Sequence, residues 1–157
     1  MATPCSSLMI KIRKMKEKEK HTVYLGLGSN MGDRKEKLDT ACQKIERLIG
    51  HIERRSAYHE SEPWGFESPN MFLNAVICCL TTLSPRQLLR TTQRIERQLG
   101  RQQKTTGDGA YHNRPIDIDI LLYDNLHIDE PDLTIPHPRM HLRPFVMEPL
   151  REIQQQT

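Results

Sequence analysis

Asp117 and Asp119 stand two residues apart in Arg114-Pro115-Ile116-Asp117-Ile118-Asp119-Ile120-Leu121-Leu122-Tyr123, where acidic and apolar residues alternate before an apolar run. A period of two marks a strand, and side chains two apart share a face. The two carboxylates therefore point one way, while Ile116, Ile118 and Ile120 point the other, where β-branched side chains can pack on helices. Two carboxylates on a rigid element suit Mg2+, which completes its shell with water and substrate phosphates. A half-solvated antiparallel strand would also show acids to water, so the pair gains meaning from its surroundings. Arg114 precedes the strand, Pro115 begins it where a missing N–H is tolerated, and a polar, glycine-containing loop at 101–113 leads into it. Acids beside a basic loop fit a metal-bound polyphosphate.

Two further residues are out of place in their segments. Asn74 interrupts the most hydrophobic stretch of the chain, 71–82. A buried amide needs partners, either as a satisfied core group or by reading the edge of a planar heterocycle. Glu96 falls near the end of a helix, where a carboxylate is unfavourable with the helix dipole, so it pairs with a neighbouring Arg or holds a ligand. Gly26-x-Gly28 invites a dinucleotide reading, but Met31 occupies the place of the third glycine or alanine. A tight turn near a ligand, or a plain strand-to-helix connection, fits that pair better.

The elements that must position these residues follow from periodicity. A strand is expected at 21–27, ending in Gly28-Ser29-Asn30, then a helix capped by Asn30 or Asp33 and running to about Ile49. Leu38, Ala41, Ile45, Leu48 and Ile49 form its apolar face, and Gly50 stops it. A polar strand at 51–59, a loop at 60–70 with exposed aromatics, and a central strand at 71–82 come next. Ser84 caps a second helix with Pro85 at its first turn, buried through Leu88, Leu89, Thr92, Ile95 and Leu99 and ended by Gly100. After the acidic strand come two short strands within 126–135 and a short helix at about 147–153. Strand–helix–strand twice over is the α+β, ferredoxin-like split arrangement: an antiparallel sheet with helices packed on one face.

The 157 residues suffice for one domain with a real core, expected at 21–157 behind a disordered tail at 1–20. That tail is mostly Lys, Arg and Glu at 11–20, and Glu17 and Glu19 speak against an organelle-targeting peptide. A formal charge of +3, with acids and bases interspersed, argues against nucleic acid as a partner, and no stretch is apolar enough to span a membrane. Cys5, Cys42, Cys78 and Cys79 lack ligand spacing, and the adjacent pair would face opposite sides of a strand. A reducing, cytoplasmic compartment is expected.

Five motifs in fixed order carry a resemblance: Val23-Tyr-Leu-Gly-Leu-Gly-Ser-Asn30, Phe72-Leu-Asn74-Ala, Gln93-Arg-Ile-Glu96 with Gly100-Arg101, Arg114-Pro-Ile-Asp117-Ile-Asp119-Ile120, and Ile135-Pro-His137-Pro with Arg143-Pro-Phe145. Together they resemble the 6-hydroxymethyl-7,8-dihydropterin pyrophosphokinases of folate synthesis, from about His21 almost to the C-terminus. The resemblance implies transfer of diphosphate from MgATP to the hydroxymethyl group of a reduced pterin, releasing AMP. It implies two Mg2+ ions on Asp117 and Asp119. Ser61, Pro63, Trp64 and Asn74 would read the pterin edge, Phe72 and Phe145 would flank its ring, and Tyr111 would close over the site. Gln93, Glu96, Ile120, Thr134, His137 and Arg143 would surround ATP, with Arg101 and Arg114 on its phosphates. It implies a monomer, with association with other folate enzymes an open alternative.

The chain departs from the commonest pattern in having Gln103 where many relatives carry a second loop arginine, and in a longer, less basic loop after it. A metal-dependent nuclease or hydrolase would need a basic groove, which the sequence lacks. A non-enzymatic nucleotide-binding module would leave the acid pair, Asn74 and the arginine loop without a joint purpose.

Overall fold

The computed structural model describes residues 19–63, 70–100 and 115–154. Trp64, Arg101, Gln103, Tyr111 and Arg114, the tail through residue 18 and the loop at 101–113 lie outside the described residues.

Strand β1 (His21–Ser29) is followed by α1 (Arg34–Leu48), β2 (Ile52–Arg55), β3 (His59–Ser61), β4 (Phe72–Thr81), α2 (Pro85–Gln98), β5 (Asp117–Tyr123), a hairpin of β6 (Ile128–Glu130) and β7 (Leu133–Ile135), and α3 (Pro144–Gln154). In the main sheet β1 lies between β4 and β5, and β2 and β3 both pair with β4, every pairing being antiparallel. This is the expected ferredoxin-like order, with β2 and β3 acting as one interrupted edge strand. Ser56 bridges the interruption: its N–H donates to the Val76 carbonyl at 2.9 Å, and its Oγ accepts from the Val76 N–H at 2.9 Å.

Local chemistry sets the helix starts. Asp33 caps α1 by accepting the Glu36 N–H at 3.1 Å. Ser84 and Gln87 form a reciprocal capping box at α2, with Pro85 opening the helix. Gly50 follows the end of α1 as expected, its N–H donating to the Ile45 carbonyl at 3.0 Å, and meets a second constraint. Among the described residues the glycines with positive φ are Gly32 and Gly100, whereas a Cβ on Gly50 would fall 1.6 Å from the Leu80 carbonyl oxygen. Close approach to β4 excludes a side chain there.

The core has two parts, one on each face of the sheet. Leu38, Ala41 and Ile45 of α1 and Leu88 and Ile95 of α2 pack on Val23, Leu25, Ile77, Ile116 and Ile118. The smaller part joins Val76, Cys78 and Leu121 to Val146, Leu150 and Ile153 of α3. The two crossover helices thus share one face, and α3, which stands outside the split unit, covers part of the other. Cys78 and Cys79 fall in opposite parts, and Cys42, Cys78 and Cys79 are buried free thiols. Among the described residues no helix is long and apolar enough to cross a membrane.

Three expected boundaries move, the last helix beginning at Pro144 and not at about Met147. β1 continues through Gly28 to Ser29, because both glycines pair in register with β4 and β5. The single strand expected at 51–59 is split at 56–58, and its second half runs on to Ser61. There Glu152 of α3 accepts the Ala57 N–H at 2.7 Å.

Candidate active site

The site lies on the α3 face, where two cross-sheet rows meet. In one row Asn74, Gly28 and Asp117 are neighbours on β4, β1 and β5; in the next, Val76, Gly26 and Asp119 are neighbours. Each row has glycine at its centre, so the middle of the sheet is bare, with Asn74 on its β4 side and the two aspartates on its β5 side. Two inter-strand spacings separate Asn74 from Asp117, about 10 Å along the sheet. A pocket opens over these rows, lined by Gly26, Gly28, Phe72, Asn74, Val76, Asp117 and Asp119, by Ser61 at the end of β3 and Glu62 after it, and by Arg143, Phe145 and Val146 at the start of α3.

Each polar group is held. Asn74, only 5 % exposed, donates through Nδ2 to Ser61 Oγ at 2.7 Å and to the His59 carbonyl at 3.2 Å. Its Oδ1 lies on the glycine side, 3.2 Å from where a Cβ on Gly28 would stand. The amide is thus both a satisfied buried group and an element of the pocket wall. Asp117 and Asp119 share the pocket face as their spacing requires, while Ile116, Ile118 and Ile120 are buried in the helix-side core. Arg143 is buried, with Nη1 4.0 Å from Asp119 Oδ2 and its guanidinium carbon 5.8 Å from the centre of the Phe145 ring.

Glu96 is 2 % exposed, and its Oε2 accepts the Ile118 N–H at 2.9 Å. It thereby satisfies an outward main-chain donor between the two aspartates, on the free edge of β5. His137 adds to the same edge through its N–H, which donates to the Leu121 carbonyl at 3.0 Å. Its Nδ1 accepts the Arg139 N–H at 3.3 Å, so in the neutral ring Nε2 carries the proton.

The structure therefore divides the residues singled out in the sequence. Ser61, Phe72, Asn74, Asp117, Asp119, Arg143 and Phe145 meet in one pocket. Gln93 and Glu96 on α2, Thr134 on β7 and His137 beyond it belong to elements flanking the outer edge of β5. The Ile120 side chain turns into the helix-side core, away from the acids, and Pro63 lies outside the pocket lining. Sequence reasoning missed the glycine floor. Gly26 and Gly28, two apart within a strand, carried the signal: a period of two puts both on one face and leaves that face bare.

The donor set limits what metal could bind. Among the described residues no group of three or more His, Cys, Asp or Glu side chains converges. Two carboxylates facing an open pocket fit an oxygen-seeking cation that takes its remaining ligands from water and phosphate, as Mg2+ does.

Residues 24–155 match the family model for 7,8-dihydro-6-hydroxymethylpterin-pyrophosphokinase. The 2-amino-4-hydroxy-6-hydroxymethyldihydropteridine pyrophosphokinase of Porphyromonas gingivalis is 49% identical over 132 residues, covering 83% of this chain and 89% of the relative. Its counterparts in Aquifex aeolicus and Bacillus subtilis are 42% and 40% identical, covering 85% of this chain in each case and 80% and 78% of the relatives. Among solved structures, an HPPK-DHPS in complex with substrates superposes with a TM-score of 0.70 at 15% identity. That match covers 85% of this chain and 40% of the longer one, and at such identity it speaks for the fold alone. With a family model spanning nearly all of the described fold and relatives this similar over most of their own length, the chain belongs to the 7,8-dihydro-6-hydroxymethylpterin-pyrophosphokinase family.

Proposed function

We infer that the chain catalyses its family's reaction: transfer of diphosphate from ATP to the hydroxymethyl group of 6-hydroxymethyl-7,8-dihydropterin, a step of tetrahydrofolate synthesis. The observation that carries this reading at residue level is the shared pocket. The acid pair and the amide-and-aromatic group open on it from opposite sides of a glycine floor.

The pterin lies over Gly28, between Phe72 and Phe145, with its amide-like edge toward Asn74 and Ser61. A flat ring gains from aromatic faces, and an edge read by fixed hydrogen-bonding groups rejects analogues that lack them. ATP approaches from the β5 side, with its phosphates over the aspartates and Gln93, Glu96, Ile120, Thr134 and His137 around its remainder. Arg143 reaches the same phosphates from the start of α3. Arg101 and Arg114, with Trp64 and Tyr111, complete the set by family resemblance. Asp117 and Asp119 would hold Mg2+, two ions in the fullest form of this reading. Mg2+ bound there supplies charge neutralisation for the triphosphate and acidifies coordinated oxygens.

The pterin hydroxymethyl oxygen forms a bond to the β-phosphorus. The bond from that phosphorus to the oxygen bridging the α-phosphate breaks, AMP leaves with the electron pair, and the hydroxyl proton passes to water. Chemistry of this kind is chiefly positioning and charge stabilisation, which matches a pocket of acids, an arginine and aromatic walls. Separate titrations with a non-hydrolysable ATP analogue and with the pterin, each with Mg2+, test the arrangement. Both ligands should bind, with the analogue strengthening pterin binding; a protein that takes neither would refute it.

A further inference from the structure

We propose that Arg34 is a positioning residue for the pterin half of the site, acting as a two-armed clamp across the ends of β3 and β4. Arg34 is the first residue of α1. Its Nη2 donates to Glu60 Oε1 at 2.6 Å, and its Nη1 donates to the Met71 carbonyl at 2.9 Å. Glu60 immediately precedes Ser61, and Met71 immediately precedes Phe72. Ser61 and Phe72 face each other as the last paired rung of β3 and β4. The guanidinium therefore fastens the two strands just where both deliver a residue to the pocket.

Geometry separates this from an ordinary surface ion pair. The Arg34 and Glu60 side chains are 30% and 57% exposed, so the ionic contact by itself contributes little to stability. The second arm ends on a main-chain carbonyl, which fixes backbone against backbone. The planar fork of arginine aims two fixed N–H donors at the two acceptors, a geometry that the point charge of a lysine ammonium does not reproduce. The clamp's own anchor is firm, since Leu38, Ala41 and Ile45 hold α1 in the core without exposure. Short, charge-assisted bonds to such an anchor set the distance between Ser61 and Phe72. The Ser61 Oγ that this fixes is the one accepting from Asn74 at 2.7 Å. The clamp thereby holds the amide that reads the pterin edge, without touching ligand itself.

The proposal rests on the pterin reading of the pocket, and the test keeps the two apart. The wild-type protein, Arg34→Ala, Arg34→Lys and Glu60→Gln are each titrated with the reduced pterin at saturating ATP analogue and Mg2+, and separately with the ATP analogue alone. Pterin binding to wild type supports the pocket reading, and its absence removes the clamp along with that reading. Given wild-type binding, Arg34→Ala should raise the pterin Kd about tenfold, with the ATP-analogue Kd within about twofold of wild type. The pterin KM should rise in parallel, with the thermal midpoint unchanged. Arg34→Lys should resemble Arg34→Ala, whereas Glu60→Gln, which keeps an acceptor oxygen, should stay near wild type. Unchanged pterin affinity in Arg34→Ala, or equal loss for both ligands, would overturn the clamp. Full rescue by lysine would also overturn it, because the fork geometry of arginine would then be dispensable.

Discussion

Asp117 and Asp119 stand on the pocket face of β5, while their isoleucine neighbours supply the core. Asp117→Asn and Asp119→Asn should therefore each remove most activity, at least about a hundredfold in kcat, and leave the thermal midpoint nearly unchanged. Steady-state rates at saturating Mg2+ check this, and near-wild-type turnover would count against the metal role. On the other side of the floor, Asn74→Ala and Phe145→Ala should raise the pterin KM much more than the ATP KM. Loss of a buried polar partner or a stacking ring costs about 1–3 kcal/mol. Gly28→Ala tests the floor itself. Its Cβ would stand 3.2 Å from Asn74 Oδ1 and 3.6 Å from the Phe72 ring, so the amide must shift by a few tenths of an ångström. A selective rise in pterin KM is expected; equal weakening of ATP would show that the floor serves both ligands.

Among the elements, those with strong local signals were legible in the sequence. The Ser84 cap with Pro85 behind it, the apolar face of α1 and the alternating acids of β5 all agree with the structure, because each is set by residues close along the chain. What escaped was set across the sheet. β1 extends through its glycines since β4 and β5 pair with it on both sides, and β2 and β3 separate at 56–58, where Glu152 on α3 takes up the Ala57 N–H. Glu96 was singled out as an oddly placed carboxylate, but its main-chain partner, the Ile118 N–H, is 22 residues away and left no local trace. Gly50 is a similar case, legible as the end of α1 but with a further constraint from Leu80 on β4 that the sequence does not show. Alanine there would drive a Cβ to 1.6 Å from a carbonyl oxygen, so backbone must move. Gly50→Ala should lower stability by about 3 kcal/mol, and denaturant unfolding measures it. A midpoint matching wild type would mean that the approach of α1 to β4 is looser than described.

For the molecule as a whole, two core layers on opposite faces of one sheet hold the acid strand and the amide strand in fixed relation. The buried thiols report on that integrity. Burial pushes the Cys42 thiol up, and pushes Cys79 up to about 12, so neither supplies thiolate near neutral pH. In a Cys5→Ser variant, thiol reagent at pH 8 should label the native protein only at the rate of unfolding, with all three remaining cysteines reacting once denaturant is added. Fast labelling without denaturant would reveal a core that opens locally. This framework holds the site's two halves in place, and their joint product identifies the reaction. Phosphorus NMR of the protein incubated with MgATP and 6-hydroxymethyl-7,8-dihydropterin distinguishes attack at the β-phosphorus from attack at the γ-phosphorus. AMP and a pterin diphosphate in equal amounts are expected; ADP with a pterin monophosphate would contradict diphosphate transfer at this pocket.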